Sequence, residues 1–240
     1  MQKIENKVGL GNKITRKIRK EFPGLFSYSN RIRSANKQKV FCIGYNKTGT
    51  TTIKEELIRF GFVMGDQRAA ERLYPKICFE NQWDLLREYC GSAQAFQDVP
   101  FSVAGVFPYL DEWFPNSKFI LTVRDTPEQW YSSLLRFHTK KFGRDGKCPT
   151  GDDLMKAEYI SKGWMYNIIR RFGTSHDRPY QPDVMMANYS QHINDARLYF
   201  SDRDSDFIEI NVAIPEDYQR LCNFLNVKPS RSAFLHANRT

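Results

Sequence analysis

Residues 41–53 read Phe41-Cys42-Ile43-Gly44-Tyr45-Asn46-Lys47-Thr48-Gly49-Thr50-Thr51-Thr52-Ile53. A short apolar run gives way to a Gly/Lys/Thr turn, and Ile53, Leu57 and Ile58 begin an amphipathic helix directly behind it. Strand, loop and helix in that order aim backbone N–H groups and a helix N-terminus at one point, which attracts a phosphate-like anion. Lys47 adds a positive charge, and Thr50, Thr51 and Thr52 add short hydroxyl donors. The stretch predicts a chain that handles a phosphorylated or sulfated nucleotide. Taken alone, it would also fit a Thr-rich helix cap beside a stray lysine.

The order of residues differs from the nucleoside-triphosphate loop. That motif, G-x-x-x-x-G-K-[ST], sets the lysine after the last glycine, with a hydroxyl beside it for magnesium. Here Lys47 precedes Gly49 by two positions, and no strand ending in a clear metal-binding Asp stands at the usual place. A kinase-like nucleotide enzyme is the nearest rival, and the loop order speaks against it.

A second window supports the nucleotide reading. Lys118-Phe119-Ile120-Leu121-Thr122-Val123 reads as a buried strand, and Arg124-Asp125-Thr126-Pro127 leads into a helix. Asp125 or Thr126 fits the cap, and Pro127 fits the first turn. Arg124 stands at the carboxyl end of the strand, where ligands bind in open α/β sheets. Ser132 follows eight residues later, so that a guanidinium and a hydroxyl could clamp one terminal phosphate.

With both windows in place, the chain resembles the sulfotransferases that use 3′-phosphoadenosine 5′-phosphosulfate (PAPS). Asn46-Lys47-Thr48-Gly49-Thr50-Thr51 is similar to the family's 5′-phosphosulfate loop, and Arg124 with Ser132 matches its 3′-phosphate motif in order and spacing. Phe96-Gln97-Asp98-Val99-Pro100 looks like the Asp-x-Pro turn of one branch, and Phe234 to Asn238 looks like that branch's chain end. The likeness covers roughly residues 39–238. It implies an α/β, P-loop-NTPase-like three-layer sandwich with a parallel sheet flanked by helices. It further implies that Lys47, Thr48, Gly49, Thr50, Thr51 and Thr52 bind the 5′-phosphosulfate, and that Arg124 and Ser132 bind the 3′-phosphate. PAPS is then the co-substrate, and the scheme needs no metal. Two departures stand out. Asn46 replaces the more usual Pro, and the Arg-Lys-Gly segment of the small-molecule enzymes is missing, leaving Arg231 or Arg239 as substitutes.

Sulfuryl transfer depends on in-line positioning and on stabilising charge at the leaving oxygen. Lys47 is placed to meet that charge. Asp98 ends a strand expected beside the loop and is the candidate base, with capping of the next turn or orientation of Lys47 as its structural alternatives. His138 is expected on a helix surface or along the acceptor cleft, and His236 near the nucleotide. The acceptor is an unidentified hydroxyl or amine, with a saccharide or glycolipid favoured by the basic N-terminus. A catalytically silent nucleotide- or membrane-binding module is the alternative from another class.

The remaining composition narrows the setting. Five scattered cysteines without C-x-x-C spacing argue against a disulfide framework or zinc site and for a reducing, cytoplasmic compartment. The start of the chain carries no signal-peptide pattern. Residues 1–39 hold eleven Lys or Arg against two Glu, a surplus equal to the whole net charge of +9. Residues 1–38 thus form a basic extension to a domain of residues 39–240. Leu10, Ile14 and Ile18 among basic residues suggest an amphipathic helix suited to peripheral membrane contact or a polyanionic acceptor. Nucleic acid is not expected, since no recognition motif accompanies the charge.

Along the chain, strands are expected at 39–45, 62–65, 93–97, 118–123 and 206–211. Helices are expected after residue 52, over 67–90 with a break near Pro75, over 105–114, from Pro127, and over 153–172, 184–201 and 215–226. A loop fills 141–152. Alternating strands and helices give a parallel sheet covered on both faces. Arg170, Arg171 and Arg178 could bind an anionic acceptor, with a solvated face the commoner outcome for such charges.

Overall fold

The computed structural model describes the backbone of residues 23–235 and the side chains of 28–235. The expected basic helix around Leu10–Ile18, His236 and Arg239 lie outside the described residues. In chain order the elements are α1 (Pro23–Ser34), β1 (Val40–Cys42), α2 (Thr50–Arg59), α3 (Gln67–Glu80), α4 (Trp83–Cys90), β2 (Ala95–Gln97), α5 (Phe107–Trp113) and β3 (Lys118–Thr122). They continue with α6 (Pro127–Phe142), α7 (Gly151–Lys156), α8 (Trp164–Arg170), α9 (Pro182–Tyr199), β4 (Phe207–Ile210) and α10 (Glu216–Phe224).

The four strands form one parallel sheet in the order β2-β1-β3-β4. Phe41 lies opposite Phe96 on one side and Phe119 on the other. Because side chains alternate across a strand, Val40, Cys42 and Ile120 face one core while Phe41, Ile43, Phe119 and Leu121 face a second. Ile53 and Leu57 of α2, with Tyr218, Leu221 and Cys222 of α10, cover the first. Trp130 and Leu134 of α6, Tyr189 of α9 and Tyr74 of α3 help cover the second. The three-layer α/β architecture is therefore as the sequence predicts. The order reverses between β1 and β3, so the connections leaving their carboxyl ends diverge around the crevice where open sheets bind ligands.

Three local expectations are corrected. The strand at 62–65 is reduced to a single parallel bridge between Met64 and Ala95. Helix α3 runs through Pro75 and stops at Asn81, whose left-handed backbone (φ 55°) ends it. Pro75 has no N–H for the Glu71 carbonyl four residues back; the Trp164 indole N–H donates to that oxygen instead, at 3.1 Å. The predicted helix 153–172 is two short helices. A Thr150–Asp153 capping box starts α7 eight residues after α6 ends, and Gly163 (φ 74°) starts α8. Among the described residues, no helix is long and apolar enough to cross a membrane.

Candidate active site

The loop between β1 and α2 passes unusually close to β3. A Cβ on Gly44 would stand 2.0 Å from the Thr122 hydroxyl oxygen, so only glycine lets the two segments meet there. Lys47 takes a left-handed conformation (φ 70°), and Gly49 does the same at φ 107°. Gly49 caps α2 and makes no side-chain hydrogen bond there. A Cβ on Gly49 would come within 2.5 Å of Val212, just beyond β4. The turn thus sets the N-terminus of a ten-residue helix, the positive end of its dipole, at the border of the crevice.

A cavity of about 590 Å³ lies over this turn. Lys47, Gly49, Thr50, Thr51 and Thr52 border it, and Arg124 enters from the end of β3. Asp98, Glu71, His138, Tyr159 and Trp164 line further parts of its wall. Arg124 donates from Nε to the Lys47 carbonyl at 2.8 Å, and Trp130 donates from its indole to the Asn46 carbonyl at 3.0 Å. The Tyr189 hydroxyl accepts the Arg124 backbone N–H at 2.9 Å and its ring stacks on Trp130 at 4.6 Å. The second sequence motif therefore braces the loop of the first.

Electrostatics separate the two candidate catalytic groups. Burial lowers the pKa of Lys47, and the charges of Arg124 and Arg136 push in the same direction, while Asp98 partly offsets them. The Lys47 ammonium also rests over the Phe137 ring, 4.1 Å from its centre. Asp98 is itself left-handed at φ 61°. Its pKa is raised by burial against the opposing pull of the Val99 N–H, Arg171, Lys47 and Lys54. Its carboxylate accepts the Val99 N–H at 2.8 Å. A carboxyl shifted upward and a lysine shifted downward on one cavity wall mark both groups as candidates for a chemical role.

Residues 39–240 match the sulfotransferase domain family. The chain belongs to that family. It is a transferase of the sulfuryl group, with a donor and an acceptor to accommodate. No curated protein matches it.

The sulfotransferase fold gathers most of the predicted site. Lys47, Gly49, Thr50, Thr51, Thr52, Asp98 and Arg124 share the one cavity. Thr48 does not: its side chain is fully buried, and its hydroxyl bonds the Tyr45 carbonyl and the Thr122 hydroxyl. Its backbone N–H also goes to Tyr45, at 3.3 Å. Thr48 pins the loop to β3 and does not border the cavity. Ser132 is exposed and borders a separate shallow depression with Arg136 and Thr139. The hydroxyl on the cavity is that of Ser133, because one step along a helix turns a side chain by about 100°.

Of the two positions expected for His138, the structure shows the second: it is buried on the cavity wall and not on the helix surface. Arg231 is paired with the buried carboxylate of Glu56, which ties the chain end to α2. Arg170 and Arg178 are exposed as expected, but the Arg171 nitrogens are buried without a hydrogen-bond partner. Its guanidinium lies over the Tyr45 and Phe172 rings at 5.2 and 4.9 Å. Glu71 belongs to no motif, but it lies three residues before the buried Tyr74 and so near the apolar face of α3. Burial and the Asp98 charge raise its pKa.

Proposed function

We propose that the enzyme transfers a sulfuryl group from PAPS to a hydroxyl or amine acceptor, with a saccharide or lipid as the acceptor class. The observation that carries this reading is the Gly49-capped N-terminus of α2 bordering, beside half-buried Lys47, a cavity that also holds Asp98. The N–H groups of the turn and first helical residues bind the 5′-phosphate. Arg124 binds the 3′-phosphate through the donors that its bond to Lys47 leaves over. Arg124 also borders a second cavity of about 620 Å³, lined by Asn211, Ile214 and Arg220, which gives the nucleoside room beyond the turn.

In the reaction, the acceptor oxygen forms a bond to sulfur while the bond from sulfur to the bridging phosphate oxygen breaks. The acceptor proton passes to the Asp98 carboxylate, and the electron pair of the broken bond leaves with 3′-phosphoadenosine 5′-phosphate (PAP). Lys47 neutralises the oxygen on which that charge grows. Burial strengthens both interactions, because the medium between the charges is less polarisable than water. The basic extension of residues 1–38 would bring the enzyme to an anionic surface where such an acceptor is presented.

Calorimetry with PAP against ATP and ADP, each with and without magnesium, tests the donor assignment. PAP should bind without magnesium and more tightly than either competitor. Tight, magnesium-dependent ATP binding would instead favour a kinase-like enzyme.

A further inference from the structure

His138 lies one helical position beyond Phe137, the ring that carries the Lys47 ammonium, and it borders the same cavity. Its side chain is 0% exposed. Nδ1 stands 2.7 Å from the Tyr180 hydroxyl, while Nε2 is buried with no hydrogen-bond partner.

The tautomer follows from counting unmatched groups. Among the described residues, the imidazole is the hydrogen-bond partner of the Tyr180 hydroxyl. If the phenol donates to Nδ1, the ring proton sits on Nε2 and one buried N–H remains unmatched. If Nδ1–H donates to the phenol oxygen, both the phenol hydrogen and the Nε2 lone pair remain unmatched. Each unmatched buried group carries a desolvation cost, so the first arrangement is favoured. The ring stays neutral as well: burial, with the nearby charges of Lys47 and Lys141, depresses its pKa to about 3.

On the donor reading above, we propose that His138 binds the transferring group, donating from Nε2–H to a non-bridging sulfuryl oxygen, with Tyr180 as the positioning residue that fixes the tautomer. A neutral donor suits the task. It stabilises the sulfuryl oxygens through the transfer without competing with Asp98 for the acceptor proton. It also gives the one orphaned nitrogen of this side chain a partner that appears only when the sulfated nucleotide is bound.

PAPS and PAP differ by the sulfuryl group alone, so their binding to wild type, His138→Phe and His138→Gln isolates the contact. The phenylalanine variant should bind PAPS about ten- to a hundredfold more weakly, as for a lost hydrogen bond to a charged group, and PAP within about twofold of wild type. The glutamine variant keeps an N–H at a similar reach and should recover most of the loss. Nitrogen-15 NMR of the imidazole should report the Nε2–H tautomer and a shift of that signal with PAPS but not PAP. Equal weakening of both nucleotides by His138→Phe, or an Nδ1–H tautomer, overturns the proposal. A wild-type enzyme that fails to bind PAP overturns the donor reading and this contact with it.

Discussion

The Nε of Arg124 lies 2.8 Å from the carbonyl oxygen of Lys47, a bond that joins two segments 77 positions apart in the chain. It holds Lys47 in a left-handed conformation that a lysine rarely adopts, at φ 70°. The residue proposed to hold one end of the donor thus braces the loop proposed to hold the other.

Arg124→Ala should therefore have two separable effects. Loss of a charged partner should weaken PAP by about 2–4 kcal/mol. Adenosine 5′-phosphosulfate, which has no 3′-phosphate, should lose much less, and the loss it does show reports loosening of the Lys47 loop. Ser133→Ala should weaken PAP further than Ser132→Ala, because Ser133 borders the cavity and Ser132 faces outward. A loss confined to Ser132 would move the 3′-phosphate to the outer side of α6.

Lys47→Ala should reduce turnover by about a hundredfold or more, the usual cost of removing a donor from a developing oxyanion, with a smaller change in PAP affinity. Single-turnover kinetics alongside calorimetry separates the two quantities. A variant that lost affinity but kept its rate would remove the leaving-group role.

Asp98→Asn should abolish proton acceptance and yet stabilise the fold at neutral pH. The folded-state pKa of Asp98 is raised, so folding favours the protonated form. The stability associated with that proton is present below the ordinary carboxylate range, about pH 4, and is lost as pH rises through the folded pKa. Thermal melts should show the variant above wild type at pH 7 and converging with it toward pH 3. Wild-type activity should fall on acidification at a pH above that range. Retained turnover in the Asn variant would refute the base assignment.

His192 gives a pH signature of the opposite sign. Its Nε2 bonds the Ile43 carbonyl at 2.8 Å, and its Nδ1 is buried without a partner, so a second proton has no acceptor. Burial is the main cause that depresses its pKa to about 4. The stability it contributes is present above the unfolded value of about 6.5 and is lost as pH falls through the folded value. From pH 7 to 5 this amounts to about 2 kcal/mol at the ordinary rate of 1.36 kcal/mol per unit. Denaturant melts of wild type and His192→Phe should show that the variant loses about that much less over the interval. Parallel pH dependences in the two proteins would contradict the assignment.

Much of this enzyme is written in short, contiguous windows. Residues 41–53 specify a strand, a left-handed turn and a helix largely through local chemistry, since Gly49 suits the positive φ of that turn, whereas Gly44 is demanded by its distant neighbour Thr122. The alternation of Val40 and Cys42 with Phe41 and Ile43 sets a sheet buried on both faces before any partner is known. Motif order then places Lys47, Asp98 and Arg124 at the ends of neighbouring strands.

Other features depend on which distant groups meet after folding. Thr48 looks like its hydroxyl neighbours in the sequence, but contact with Thr122 turns it inward. Ser132 and Ser133 are equivalent polar positions until the packing of α6 selects the face that looks into the cavity. Helix α3 survives Pro75 because a tryptophan 93 positions from Glu71 supplies a donor to the freed carbonyl. His138 acquires its tautomer from Tyr180, 42 residues away. Local sequence determines backbone conformation and amphipathic faces, because those follow from sterics and periodicity over a few residues. The long-range partner of each polar side chain is decided by desolvation inside the assembled fold, and no short window contains that information.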